Sequence, residues 1–144
     1  MSKRSGQPFR YDILKDHTFV YDTEPASRAV VTVRMIEPEK ELAFFKAVQT
    51  AFYAESKKTD KIETYIEIAK NLGIDSTKFK ELFDSEEARF ATKLDFQISS
   101  EMGVKGFPSV VIKTKGQFFM ISNGYREVSD LEKVYQNVQN QLAE

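Results

Sequence analysis

Two short stretches of this 144-residue chain hold residue types that could bind or react: Gly106-Phe107-Pro108 within GVKGFPSVVI (residues 103–112), and Ser129-Asp130 within SDLEK (residues 129–133). In the first, a proline stands at the mouth of a β-branched run, a place it can hold because it donates no ladder hydrogen bond. In the second, a helix start could set backbone N–H groups and a carboxylate beside a ligand. The Ser-x-x-Glu spacing of Ser129 and Glu132 is equally the pattern of a capping box.

Much other chemistry is closed. The chain has no cysteine, which removes disulfides, thiolate metal sites and cysteine nucleophiles together. Its one histidine, His17, lies in the polar stretch KDHTF and rules out paired-histidine motifs such as HExxH. It reads as an exposed or capping residue. No two carboxylates are marked out as an acid–base pair. Gly103 and Gly106 are too few for a phosphate-cradling loop. We therefore assign no catalytic residue, no metal and no cofactor.

Composition narrows the partners. Lys and Arg number 21 against 22 Asp and Glu, so no bulk charge draws the chain to nucleic acid. A hydrophobic share of 41% and a charged share of 30% suit one soluble domain. No apolar run approaches the roughly 20 residues of a membrane span, so no membrane partner is expected. The start MSKRSGQPFR is basic but has no apolar core, so it is no secretory signal. A cytoplasmic location is expected.

The elements that must position the two stretches are mostly helical. Residues 1–22 read as an irregular lead-in. A first helix follows from Asp22 or Thr23, with Pro25 in its first turn and Ala26, Ala29, Val30, Val33 and Ile36 on one face. Pro38 opens a second, with Leu42, Phe45, Val48, Gln49 and Phe52 inward and Phe44, Ala51 and Tyr53 widening the stripe. KIETYIEIAKNLG is a third, ending at Gly73. DSTKFKELF is a fourth, capped at Asp75 or Ser76. DSEEARFATKLDFQISSEMG is a fifth, ending at Gly103. The eight aromatics Phe44, Phe45, Phe52, Tyr53, Phe79, Phe83, Phe90 and Phe96 are expected in the core. PSVVIKT and QFFMISNG then read as an antiparallel hairpin around Lys115-Gly116. SDLEKVYQNVQNQLAE closes the chain as a helix capped by Ser129. The result is an α+β chain: a helical part at 23–103, then a loop, hairpin and helix at 104–144.

EPASRAVVTVR, AVQTAFYAE and GVKGFPSVVI, followed by the hairpin and last helix, resemble the DsbA-like thioredoxin-fold proteins. The nearest branch is that of the FrnE-like protein-disulfide isomerases, which are bacterial-type. SGQPF resembles that branch's lead-in to its helical insertion. The resemblance runs from residue 5 to residue 144. It implies a truncated thioredoxin fold, made of the helical insertion subdomain and the C-terminal hairpin and helix, without a counterpart of the N-terminal CxxC-bearing unit. It also implies that Phe107-Pro108 is cis, and that Gly106, Phe107 and Pro108 present backbone to an extended peptide substrate. Glutathione-binding relatives use a spot like Ser129-Asp130.

Three functions follow from that resemblance. The first is a redox-inactive family member, at most a peptide- or protein-binding module. The second is a glutathione-binding enzyme of the kappa-transferase or hydroxychromene-carboxylate isomerase type. The third is the C-terminal part of a longer CxxC oxidoreductase. Whichever holds, SVVI and FFMI are continuous apolar runs, which suit strands covered on both faces. A lone hairpin cannot supply that cover. A homodimer through the hairpin or the helices beside it is therefore expected.

Overall fold

The structure is a computed structural model and describes residues 6–143. Among these lie six α-helices and one two-stranded sheet: α1 Glu24–Ile36, α2 Glu41–Tyr53, α3 Ile62–Asn71, α4 Ser76–Phe83, α5 Glu86–Glu101, β1 Ser109–Thr114, β2 Gln117–Asn123 and α6 Val128–Ala143. The α+β order expected from the sequence holds. The chain divides into two compact units, one up to Lys93 and one from Leu94. The expected divisions were after residues 22 and 103. The lead-in belongs to the first unit, and α5 runs through the division.

In the first unit, α1 is capped from outside, because the Glu24 N–H donates to Asp22 Oδ1 at 2.9 Å. Ala29 and Val33 are buried as the spacing predicts, and so are Val31 and Thr32. The β-branched run survives because it is packed. The buried Thr32 hydroxyl finds a partner in the Arg28 carbonyl at 2.8 Å.

α2 corrects the expected inward face. Phe44, Val48 and Ala51 are buried, while Leu42, Phe45 and Tyr53 are exposed. The helix is apolar on two sides, and the side with the ring partner won: Phe44 and Phe79 lie with centroids 5.7 Å apart. α3 buries Tyr65, Ile68 and Ala69, and the Tyr65 hydroxyl donates to the Thr59 carbonyl. Gly73 ends the turn beyond α3 at φ 67°, a conformation that favours glycine. Asp75 caps α4 by accepting the N–H groups of Thr77 and Lys78 at 2.9 and 3.1 Å. α4 in turn sends Phe79 and Phe83 into the core.

Ser85 starts α5, accepting the Ala88 N–H at 3.1 Å and donating to the Leu82 carbonyl at 2.6 Å. Of the eight aromatics expected in the core, Phe44, Phe79 and Phe83 are there, but Phe45, Tyr53, Phe90 and Phe96 are exposed. The buried positions on α5 are the small Ala88 and Thr92. The lead-in is more ordered than its sequence suggests. Its Arg10 N–H donates to the Tyr53 carbonyl at 2.8 Å, Ile13 is buried, and Phe19 and Phe52 lie 5.8 Å apart.

In the second unit, β1 and β2 pair antiparallel, with Thr114 opposite Gln117 and Ile112 opposite Phe119. Lys115 and Gly116 have φ of 49° and 76°. Two positive φ values in a two-residue loop are the type I′ turn that matches strand twist. The register slips by one residue between Val110 and Val111, leaving Ile121 as the extra residue of a bulge. α6 packs on β2, and Ile121, Ser122 and Val138 are buried. Val110, Phe118 and Met120 stay exposed, so the two-faced cover expected of the hairpin is incomplete among the described residues.

Candidate functional site

The loop before β1 is built from short-range bonds. The Val104 N–H donates to the Ser99 carbonyl at 3.1 Å, and Gly103, just past the end of α5, turns the chain at φ 76°. The Ser109 hydroxyl donates to the Gly106 carbonyl at 2.6 Å. The Gly124 N–H donates to the Pro108 carbonyl at 2.8 Å, which ties the loop to the end of β2. The Phe107-Pro108 peptide bond is cis.

Between those anchors Phe107 stands 89% exposed, more than any other large hydrophobic residue described. No backbone–backbone hydrogen bond engages it among the described residues. The loop thus offers an apolar side chain and a strand mouth. Sequence reasoning did not single out Ser109 or Gly124, although a serine just after X-Pro is a ready side-chain-to-backbone turn former.

Ser129 and Asp130 sit elsewhere in the same unit. α6 begins at Val128, so Ser129 lies inside its first turn rather than capping it. The N–H groups of Asp130 and Leu131 both donate to the Glu127 carbonyl at 3.1 Å. The Asp130 carboxylate faces Lys133 Nζ at 3.4 Å. No hydrogen bond or ion pair joins Gly106, Phe107 or Pro108 to Ser129 or Asp130 among the described residues. His17 is exposed. No group of three or more His, Cys, Asp or Glu that could hold a metal occurs among the described residues. No described helix is long and apolar enough to cross a membrane.

A loop of this form leading into an antiparallel hairpin and a closing helix, in a chain that also carries a helical unit, defines a thioredoxin-type protein. Residues 3–129 match the thioredoxin family model, and the chain belongs to that family. Its fold is similar to the crystal structure of a candidate protein disulfide isomerase from Nitrosomonas europaea. The TM-score is 0.89 at 36% identity, covering 97% of this chain and 69% of that one. It is also similar to the cytosolic disulfide reductase DsbM from Pseudomonas aeruginosa, with TM-score 0.76 and 23% identity over 99% of this chain and 71% of that one. The same reductase with GSH gives 0.74 and 21%, over 99% and 72%. At those identities the two DsbM structures establish the fold alone. No curated protein matches the chain. The DsbA-like resemblance and the α+β thioredoxin class both stand.

Proposed function

We propose that this chain is a thioredoxin-fold binding module that holds an extended peptide at the Gly106-Phe107-Pro108 loop without exchanging disulfides. The observation that carries the reading is Phe107, almost fully exposed at the mouth of β1. β1 has one neighbour, β2, among the described residues. An open edge and an apolar anchor are what strand addition needs: backbone bonds give affinity and the anchor gives selectivity. Thiol–disulfide exchange runs by thiolate attack, and this chain holds no thiol. The likeness to a disulfide-isomerase candidate fits recognition of unfolded segments while leaving the redox step out. The chain works as a homodimer, because Val110, Phe118 and Met120 are left open on the hairpin.

Fluorescence anisotropy with labelled, extended apolar peptides tests the binding. Phe107→Ala is expected to weaken it about tenfold, the roughly 1.4 kcal/mol of one lost apolar anchor. Unchanged affinity in that variant would remove the site. In a parallel insulin-reduction assay with dithiothreitol, the chain is expected to match the protein-free control. Turnover above it would overturn the redox-inactive reading.

A further inference from the structure

We infer that the Gly106-Phe107-Pro108 loop selects acidic segments: extended peptides in which an apolar residue is flanked by aspartate or glutamate. This rests on the peptide-binding reading above and names the class of segment it takes. Four of the chain's 21 Lys and Arg, and none of its 22 Asp and Glu, lie between Met102 and Arg126. The whole chain has a net charge of −1, so this loop and hairpin form a basic island in an otherwise acidic sequence. Such an asymmetry favours a partner of the opposite sign.

Two of the four cations are tethered close to Phe107. Lys105 precedes it by two residues, so their Cα atoms lie within roughly 7 Å. Arg126 follows Gly124 by two residues, and the Gly124 N–H donates to the Pro108 carbonyl at 2.8 Å. The Ser122 hydroxyl donates to the Gly124 carbonyl at 3.0 Å and fastens the same turn. Lys105 and Arg126 are both exposed, and neither has an ion pair among the described residues. The other two cations are engaged elsewhere on the hairpin. Lys113 Nζ stands 5.5 Å from the Phe118 ring centroid, and Lys115 Nζ donates to the Leu142 carbonyl at 3.0 Å.

The carboxylates next in sequence have partners of their own. Glu101 accepts the Gln97 amide at 2.8 Å. Glu127 accepts the Tyr125 hydroxyl at 3.1 Å and stands at the start of α6, where the helix dipole favours an anion. Asp130 faces Lys133 in the first turn, and Glu132 lies beyond that turn. An added strand runs extended at about 3.3 Å per residue. Side chains one or two positions from its apolar anchor therefore come within reach of Lys105 and Arg126. The planar Arg126 fork matches a carboxylate. Two free cations suit two carboxylates, whereas a nucleic acid wants a longer track of phosphate contacts and stacking rings. The acidic remainder of the chain also opposes a polyanion.

Fluorescence anisotropy with three labelled peptides of one length tests this. They are alike except that Glu, Ser or Lys flanks a central apolar residue. At about 0.01 M salt, where the screening length is ~30 Å, the Glu peptide is expected to bind about fivefold tighter than the Ser peptide, as two exposed ion pairs would give. The Lys peptide is expected to bind more weakly than both. The preference should fade toward about 1 M salt, where that length is ~3 Å. Lys105→Glu combined with Arg126→Glu is expected to reverse the order, with far-UV circular dichroism as the check on folding. Where that variant fails to fold, the salt series on the parent decides. Equal affinity for the three peptides, still weakened by Phe107→Ala, would overturn the selection and leave the loop reading standing. Binding of none would overturn both. A single-stranded oligothymidylate that binds the parent more tightly than the Glu peptide would assign the island to nucleic acid and overturn the acidic peptide as its partner.

Discussion

The Arg28 guanidinium lies 4.1 Å above the Phe83 ring and donates through Nη1 to the carbonyl of that same residue at 2.7 Å. One residue of α1 thereby holds both the side chain and the backbone at the end of α4. The other edge of the fork reaches Glu24, with Nε to Oε1 at 2.9 Å and Nη2 to Oε2 at 3.2 Å. Arg28 is buried, and a buried charge persists only when its donors are matched.

Replacing Arg28 should therefore be costly in a graded way. Arg28→Met keeps the volume but leaves the Phe83 carbonyl and the Glu24 carboxylate without their donors. It is expected to lower stability by about 3 kcal/mol. Arg28→Lys keeps the charge but loses the planar stack and the fork, so it should fall between parent and Met. Urea unfolding checks this. A shifted midpoint with unchanged slope is expected, and a midpoint equal to the parent's for Arg28→Met would refute the role.

A pH dependence follows from Asp16 and Lys58. The Lys58 ammonium, then the hydroxyl and N–H of Thr18, hold the Asp16 carboxyl well below the usual carboxylate range. In return Asp16 raises Lys58. A depressed carboxylate contributes stability that is present above its unfolded value of about 3.9 and is lost as pH falls through the lower folded value. A raised lysine contributes below about 10.4 and loses it as pH rises through the higher folded value. The difference in melting temperature between the parent and Asp16→Asn should thus be constant near neutrality. It should shrink both as pH drops from about 5 toward 2 and above about 10.5. A difference that grows on acidification would contradict the pairing.

The turn gives a cleaner contrast. Gly116 has φ 76° and nothing within 4 Å of where a Cβ would stand, so Gly116→Ala tests backbone conformation alone. It is expected to cost about 1 kcal/mol. Gly106→Ala meets the same open space without a left-handed φ and should be near neutral. Equal melting temperatures for the two variants would show that the turn conformation is not what demands glycine.

These particulars show what could be read in advance. Lys115-Gly116 was legible because a two-residue hairpin loop has few solutions, and Asp75 because its cap is a local contact. The Gly103–Pro108 loop was legible as a contiguous motif. The face of α2 was not, since two apolar stripes on one helix satisfy the same periodicity and only the partner ring of Phe79 separates them. Phe90 and Phe96 misled for a related reason: aromatic character sets how much burial would gain, while the neighbours decide whether it happens. Ser129 was placed one residue outside its helix because Ser-x-x-Glu fits both a cap and a first turn. The docking of residues 9–21 on α2 rests on contacts distant in sequence, which no local pattern reports.

The bulge at Ile121 sets a phase. From the turn to Val111 the strands match one for one, and beyond it they match again only because β2 spends one residue unpaired. That slip carries Gly124 to where its N–H meets the Pro108 carbonyl. The loop bearing Phe107 is thus indexed to a count of residues on the opposite strand. Were Ile121 to pair with Val110 instead, Asn123 rather than Gly124 would stand opposite Pro108, and the loop would lose that fastening with no residue in it altered. A one-residue slip of β2, remote in sequence from the loop, would act on it as a change of timing does on a meshed gear.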